Sequence, residues 1–77
     1  MLSSFPAPAE VATRIRDHLR SFGTEPGAEV TLEELEEALP EYGLSSIKDG
    51  VTRGVIEGWW RNGPLGRIVL TEAGAAE

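Results

Sequence analysis

The chain has 77 residues, 40% of them hydrophobic, and a net charge of −6. That is enough for one small domain and excludes a two-domain enzyme built around an interdomain cleft. With no cysteine and one histidine, disulfides, thiolate chemistry, zinc knuckles, iron–sulfur ligation and multi-histidine metal sites are excluded as well.

Residues 1–7 read as a flexible N-terminal arm, punctuated by Pro6. Pro8 suits the first turn of a helix, where a missing amide donor is harmless. Val11, Ile15, Leu19 and Phe22 then recur at helical spacing and make one apolar stripe. The first helix is expected from about Pro8 to Phe22, stopped by Gly23. His18 falls on the side of Ile15 and Phe22, which marks it as a boundary residue rather than a catalytic base. Glu10–Arg14 and Asp17–Arg20 are spaced to pair on the wet side.

Thr24 to Gly27 is turn chemistry, and Ala28 to Val30 is a short extended piece. Thr31-Leu32-Glu33-Glu34 has the form of a capping box, in which the Thr31 hydroxyl accepts from the Glu34 amide and Glu34 reaches back to the Thr31 amide. Leu32, Leu35, Ala38 and Leu39 form the apolar side of a second helix ended by Pro40, with Glu33, Glu34 and Glu37 toward water. Between residues 25 and 43 lie Glu25, Glu29, Glu33, Glu34, Glu36, Glu37 and Glu41 and no base. The acidity of the whole chain therefore belongs to one segment, and residues 44–77 are neutral overall.

After a tight turn, Ser45 or Ser46 is placed to cap a third helix. Ile47, Val51 and Val55 share one face of it, continued by Gly54 and Gly58, and Gly58 suits a left-handed stop. Gly54 takes a core-facing position where a larger apolar residue is usual. Gly50 and Gly54 each weaken a helix interior by roughly 1 kcal/mol relative to alanine. That leaves a rival reading, in which the helix ends at Gly50 and Val51 to Arg61 is a strand. Trp59 to Arg61 is extended, residues 62–66 are a turn, and Arg67 to Thr71 is a strand with Ile68 and Leu70 on one face. Of the adjacent Trp59 and Trp60, one must face the core and the other outward.

The order is helix, short strand, capped helix, tight turn, helix, hairpin. Three stretches in that order resemble a known family: Thr31-Leu32-Glu33-Glu34-Leu35, Val55-Ile56-Glu57-Gly58-Trp59-Trp60 and Leu70-Thr71-Glu72-Ala73-Gly74. They look like the winged helix-turn-helix domain of small bacterial transcription regulators, of the multiple-antibiotic-resistance and phenolic-acid-decarboxylase regulator types. The resemblance covers residues 8–74, with 75–77 as a tail. It implies a small α+β winged-helix domain of three helices and a two- or three-stranded wing sheet, with Val30 in the third strand. It also implies binding to double-stranded DNA through the third helix and the wing. Carried onto this chain, the outward face of that helix holds Lys48, Asp49, Thr52, Arg53 and Ile56. Ser45 and Ser46 lie near its N-terminus, where free amides meet phosphate, and Arg61 and Arg67 flank the wing. The implied roles are a guanine edge for Arg53 and a thymine methyl for Thr52.

Several residues depart from that pattern. The second-helix region is strongly acidic and repels phosphate if it faces DNA. The wing tip, Gly63 to Gly66, is uncharged, and the chain ends soon after the wing without a further helix for dimerisation. Lys48, Arg53, Arg61 and Arg67 allow at most four phosphate contacts, a log–log salt slope near about −3.6. Weak binding as a monomer is the expectation. The alternative is a protein-interaction module on the same fold, using Ile56, Trp60, Glu33, Glu34 and Glu37. No phosphate loop, dinucleotide fingerprint or nucleophile elbow is present, so neither an enzyme nor a cofactor or metal site is expected. No apolar run approaches the roughly 20 residues of a membrane span, and the N-terminus lacks a signal-peptide pattern. A cytoplasmic location without a membrane partner is the matching expectation.

Overall fold

The computed structural model describes residues 7–75. The elements in chain order are α1 (Pro8–Ser21), β1 (Glu29–Val30), α2 (Leu32–Ala38), α3 (Leu44–Glu57), β2 (Trp60–Asn62), a 3-10 turn (Pro64–Gly66), β3 (Ile68–Leu70) and α4 (Glu72–Ala75). The strand order is β1-β3-β2 with both pairings antiparallel. The domain is thus a small α+β unit of four helices and a three-stranded sheet, laid out as a winged helix would be. Val30 takes the expected third strand. The arm expected over residues 1–7 and the tail over 75–77 lie outside the described residues, apart from Ala7 and Ala75.

Helix α1 buries Val11, Ala12, Ile15 and Leu19, as its stripe predicts. Phe22 does not join them. It is the residue after the last helical one, its backbone leaves the helix, and its side chain is 74% exposed. Arg14 passes over Glu10 and pairs with Glu41 at 3.0 Å, tying α1 to the turn between α2 and α3. The Glu41 carboxyl is held below its ordinary range, first by a backbone hydrogen bond at Glu41 itself and then by Arg14. Asp17 and Arg20 form no ion pair with each other.

The start of α2 makes half of the predicted capping box. Thr31 Oγ1 accepts from the Glu34 amide at 3.1 Å, but the Glu34 carboxylate makes no return bond. Leu35 and Leu39 enter the core, and Leu32 and Ala38 pack at its edge. At α3 the expected serine cap is replaced. Gly43 precedes the helix with no side-chain cap, and Ser45 and Ser46 sit inside the first turn.

The strand alternative for Val51 to Arg61 is overturned, because α3 runs through both glycines to Glu57. Each glycine marks a close approach. Gly50 packs against Val11 and Ala12 of α1, and Gly54 packs against the Trp60 indole. The helix stops where Gly58 turns left-handed (φ 82°), and the Gly58 and Trp59 amides return to the Val55 and Gly54 carbonyls.

Trp60 therefore faces inward, at 1% exposure, and its Nε1 donates to the Val51 carbonyl at 2.8 Å. This corrects its expected place in an exposed contact patch. Trp60 pairs across the sheet with Leu70, and Val30 with Ile68, so these four line the core face. Trp59 is half-buried, with the Arg16 guanidinium 4.9 Å from its ring centre. On the opposite face Glu29, Val69 and Arg61 form one cross-strand row. Val69 is buried there too, with Gly63 of the hairpin loop close against its side chain.

The hairpin closes through a turn whose Arg67 amide donates to the Pro64 carbonyl at 3.1 Å. Its two central residues, Leu65 (φ 59°) and Gly66 (φ 75°), are both left-handed, as a type I′ turn requires. Leu65 is 89% exposed, so no burial offsets the roughly 1–2 kcal/mol that this backbone costs a residue with a Cβ. Asn tolerates the region, and Asn-Gly is the preferred pair for this turn. Leu65→Asn is expected to raise stability by about 1 kcal/mol, read as a higher urea midpoint with an unchanged m-value. A lowered midpoint would count against the left-handed tip.

Candidate nucleic-acid interface

One side of α3 is committed to the core through Ile47, Gly50, Val51 and Gly54. The helical period then forces Lys48, Asp49, Thr52, Arg53 and Ile56 outward, and all five are exposed. Ser45 is exposed and Ser46 half-buried at the N-terminal turn. Since Gly43 offers no side chain, the first amides of α3 have no side-chain cap. Such amides are suited to an anion.

Two of the four expected cations already have a carboxylate. Arg53 donates through Nε to Glu57 Oε2 at 2.9 Å, one helical turn on. Arg67 meets Glu29 at 3.1 Å across the sheet. Both pairs are exposed, and such pairs contribute only about 0.2–1 kcal/mol, so either guanidinium is free to exchange partners. Lys48 and Arg61 have no ion pair among the described residues. Register places Arg61 and Arg67 on the same outer face of the sheet, on either side of Val69.

A shallow groove of about 290 Å³ runs along α3, lined by Asp49, Thr52, Arg53, Ile56 and Pro8. Pro8 comes from the start of α1 and reaches this place only through the packing of α1 on α3. Local pattern gave no way to include it. Of the residues expected for a protein-interaction patch, Trp60 is not on the surface. Ile56 is 73% exposed on α3, Glu33, Glu34 and Glu37 are exposed on α2, and Trp60 is inside.

Among the described residues no group of three or more His, Asp or Glu is placed to hold a metal ion. None of their helices is long and apolar enough to cross a membrane. No protein-family model matches the chain, and neither does a curated protein or a solved structure. The functional reading therefore rests on the fold and on surface chemistry.

Proposed function

We propose that the domain is a transcription-regulatory module that binds double-stranded DNA weakly as a monomer. The observation that carries this reading is the exposed side of α3, which presents Lys48, Thr52 and Arg53 within successive turns. The α2–turn–α3 pair and three-stranded sheet match the layout in which such a helix enters the major groove. Lys48 and Arg61 are assigned to phosphates, Arg53 to a guanine edge, and Thr52 to a thymine methyl. Ser45 and Ser46 bring hydroxyls and amides to a phosphate at the helix start. Arg67 reaches a phosphate only by leaving Glu29.

That division sets the salt dependence. With Lys48 and Arg61 alone the log–log slope is about −1.8, and with Arg67 released to a third phosphate about −2.7, at roughly 0.9 per contact. The test is a fluorescence-anisotropy titration of labelled duplex at low and at physiological salt. Binding is expected at low salt, with Lys48→Ala and Arg61→Ala each flattening the slope by about one. Glu57→Gln, which releases Arg53, is expected to tighten binding. No binding at low salt, or binding indifferent to both alanine variants, rejects the reading.

A protein-interaction reading keeps support from exposed Ile56 and from the acidic face of α2. It has lost Trp60 as its anchor.

A further inference from the structure

We propose that a second groove, formed by the end of α1, β1 and the start of α2, docks a basic segment of a partner protein. An apolar side chain of that segment enters the groove and a neighbouring Lys or Arg meets Glu34. This does not depend on DNA binding, since it uses no residue of α3 or of the hairpin.

The groove has a fixed floor. Leu19, Val30 and Leu35 line it, and all three belong to the buried core. Its lip is aromatic. Phe22, 74% exposed, stands edge-on to His18 with ring centres 4.7 Å apart, and both line the groove. A large apolar ring left in water at the mouth of a preformed depression gains by being covered.

Charge selects the occupant. Glu34 lines the groove, and its carboxylate makes no hydrogen bond or ion pair among the described residues. Glu33, Glu36 and Glu37 are exposed on the same short helix. Of the seven carboxylates between residues 25 and 43, only Glu29 and Glu41 have a cation among the described residues, from Arg67 and Arg14. Glu33, Glu34, Glu36 and Glu37 share one seven-residue helix, where neighbouring positions lie within about a Debye length, about 8 Å at physiological salt, so their fields add. Nucleic acid is repelled and a cationic segment attracted. The groove holds about 280 Å³, room for one apolar side chain carried by a chain that continues past it.

The experiment is an NMR titration of the intact chain with the peptide Gly-Lys-Lys-Leu-Lys-Lys-Gly, beside a control in which Gly replaces Leu. The leucine peptide is expected to shift the amides of His18, Phe22, Val30, Glu34 and Leu35. Replacing its leucine is expected to weaken binding about tenfold. Phe22→Ala, at an exposed position, is expected to weaken it at least fivefold with an unchanged circular dichroism spectrum. Glu34→Gln keeps the backbone cap to Thr31 and is expected to weaken binding and reduce its salt dependence. Equal binding of both peptides, unchanged affinity in Phe22→Ala, or no binding overturns the proposal. A failed DNA titration leaves these outcomes unaffected.

Discussion

Gly54→Ala is expected to destabilise the domain by about 2–4 kcal/mol, although alanine is the better helix former by roughly 1 kcal/mol. Two effects of opposite sign meet at this position. Helix preference favours the methyl, and packing forbids it, because a Cβ at Gly54 would overlap the benzo ring of Trp60. The indole is fully buried and tethered by its bond to the Val51 carbonyl. Moving it costs overpacking of typically about 1–3 kcal/mol. If the tether breaks, a buried donor is stranded at about 1–3 kcal/mol more. Packing therefore wins, and in a domain holding roughly 3–5 kcal/mol it removes most of the margin. The check is a urea titration followed by circular dichroism, in wild type, each single variant and the pair Gly54→Ala with Trp60→Phe. Phenylalanine lacks the benzo ring, so in that background the methyl is expected to cost less than about 1 kcal/mol or to stabilise. Strictly additive costs would falsify the glycine–indole contact as the cause.

The same contact shows which parts of the fold were legible in the sequence. The three main helices were legible because each carries its own local pattern: Pro8 and an apolar stripe, Thr31 with its cap, Gly58 with its left-handed stop. The hairpin followed from composition and order, and the third strand from the resemblance, which put the short extended piece before Thr31 into the sheet. The inward tryptophan did not follow, because alternation along a strand says that Trp59 and Trp60 oppose each other and not which one is buried. The choice is made by the pairing of Trp60 with Leu70 and by the slot that Gly54 leaves in α3. In the sequence that slot shows as two glycines one turn apart on an apolar helix face, where helix propensity by itself registers only a weakness.

Phe22 was misplaced for a related reason. Its spacing continues the stripe, but the helix ends before it. Helix α4 has a local signature, since Thr71 accepts from the Gly74 amide and Glu72 opens the first turn. Resemblance to the end of a wing hid that signature. The ion pairs Arg14–Glu41 and Arg67–Glu29 join residues 27 and 38 apart, beyond the reach of helical spacing. The second of them matters for the candidate interface because it decides whether Arg67 is left for phosphate. The outward face of α3 was legible throughout, since it is the complement of the buried one.

Gly74→Ala is expected to cost about 2–3 kcal/mol, and here no side-chain substitution should rescue it. Gly74 is buried where α4 folds back on the junction of α3 and β2. A methyl there would overlap the Trp59 carbonyl oxygen and press on a Leu70 methyl 2.8 Å away. The leucine can rotate, but the oxygen belongs to the backbone and accepts from the Thr71 amide at 3.0 Å. Thr71 fixes the corner further, donating its hydroxyl to the Gly58 carbonyl and accepting from the Gly74 amide. The methyl is accommodated only if α4 lifts away and takes Ala75 off the edge of the core. Amide exchange at Thr71, Gly74 and Ala75 is then expected to accelerate more than exchange in α1, with Trp59 emission shifted to the red. Trp60→Phe is expected to leave the cost of Gly74→Ala unchanged while abolishing that of Gly54→Ala, which separates a backbone obstacle from a side-chain one. A midpoint equal to wild type in Gly74→Ala would mean that α4 does not dock against the Trp59 carbonyl.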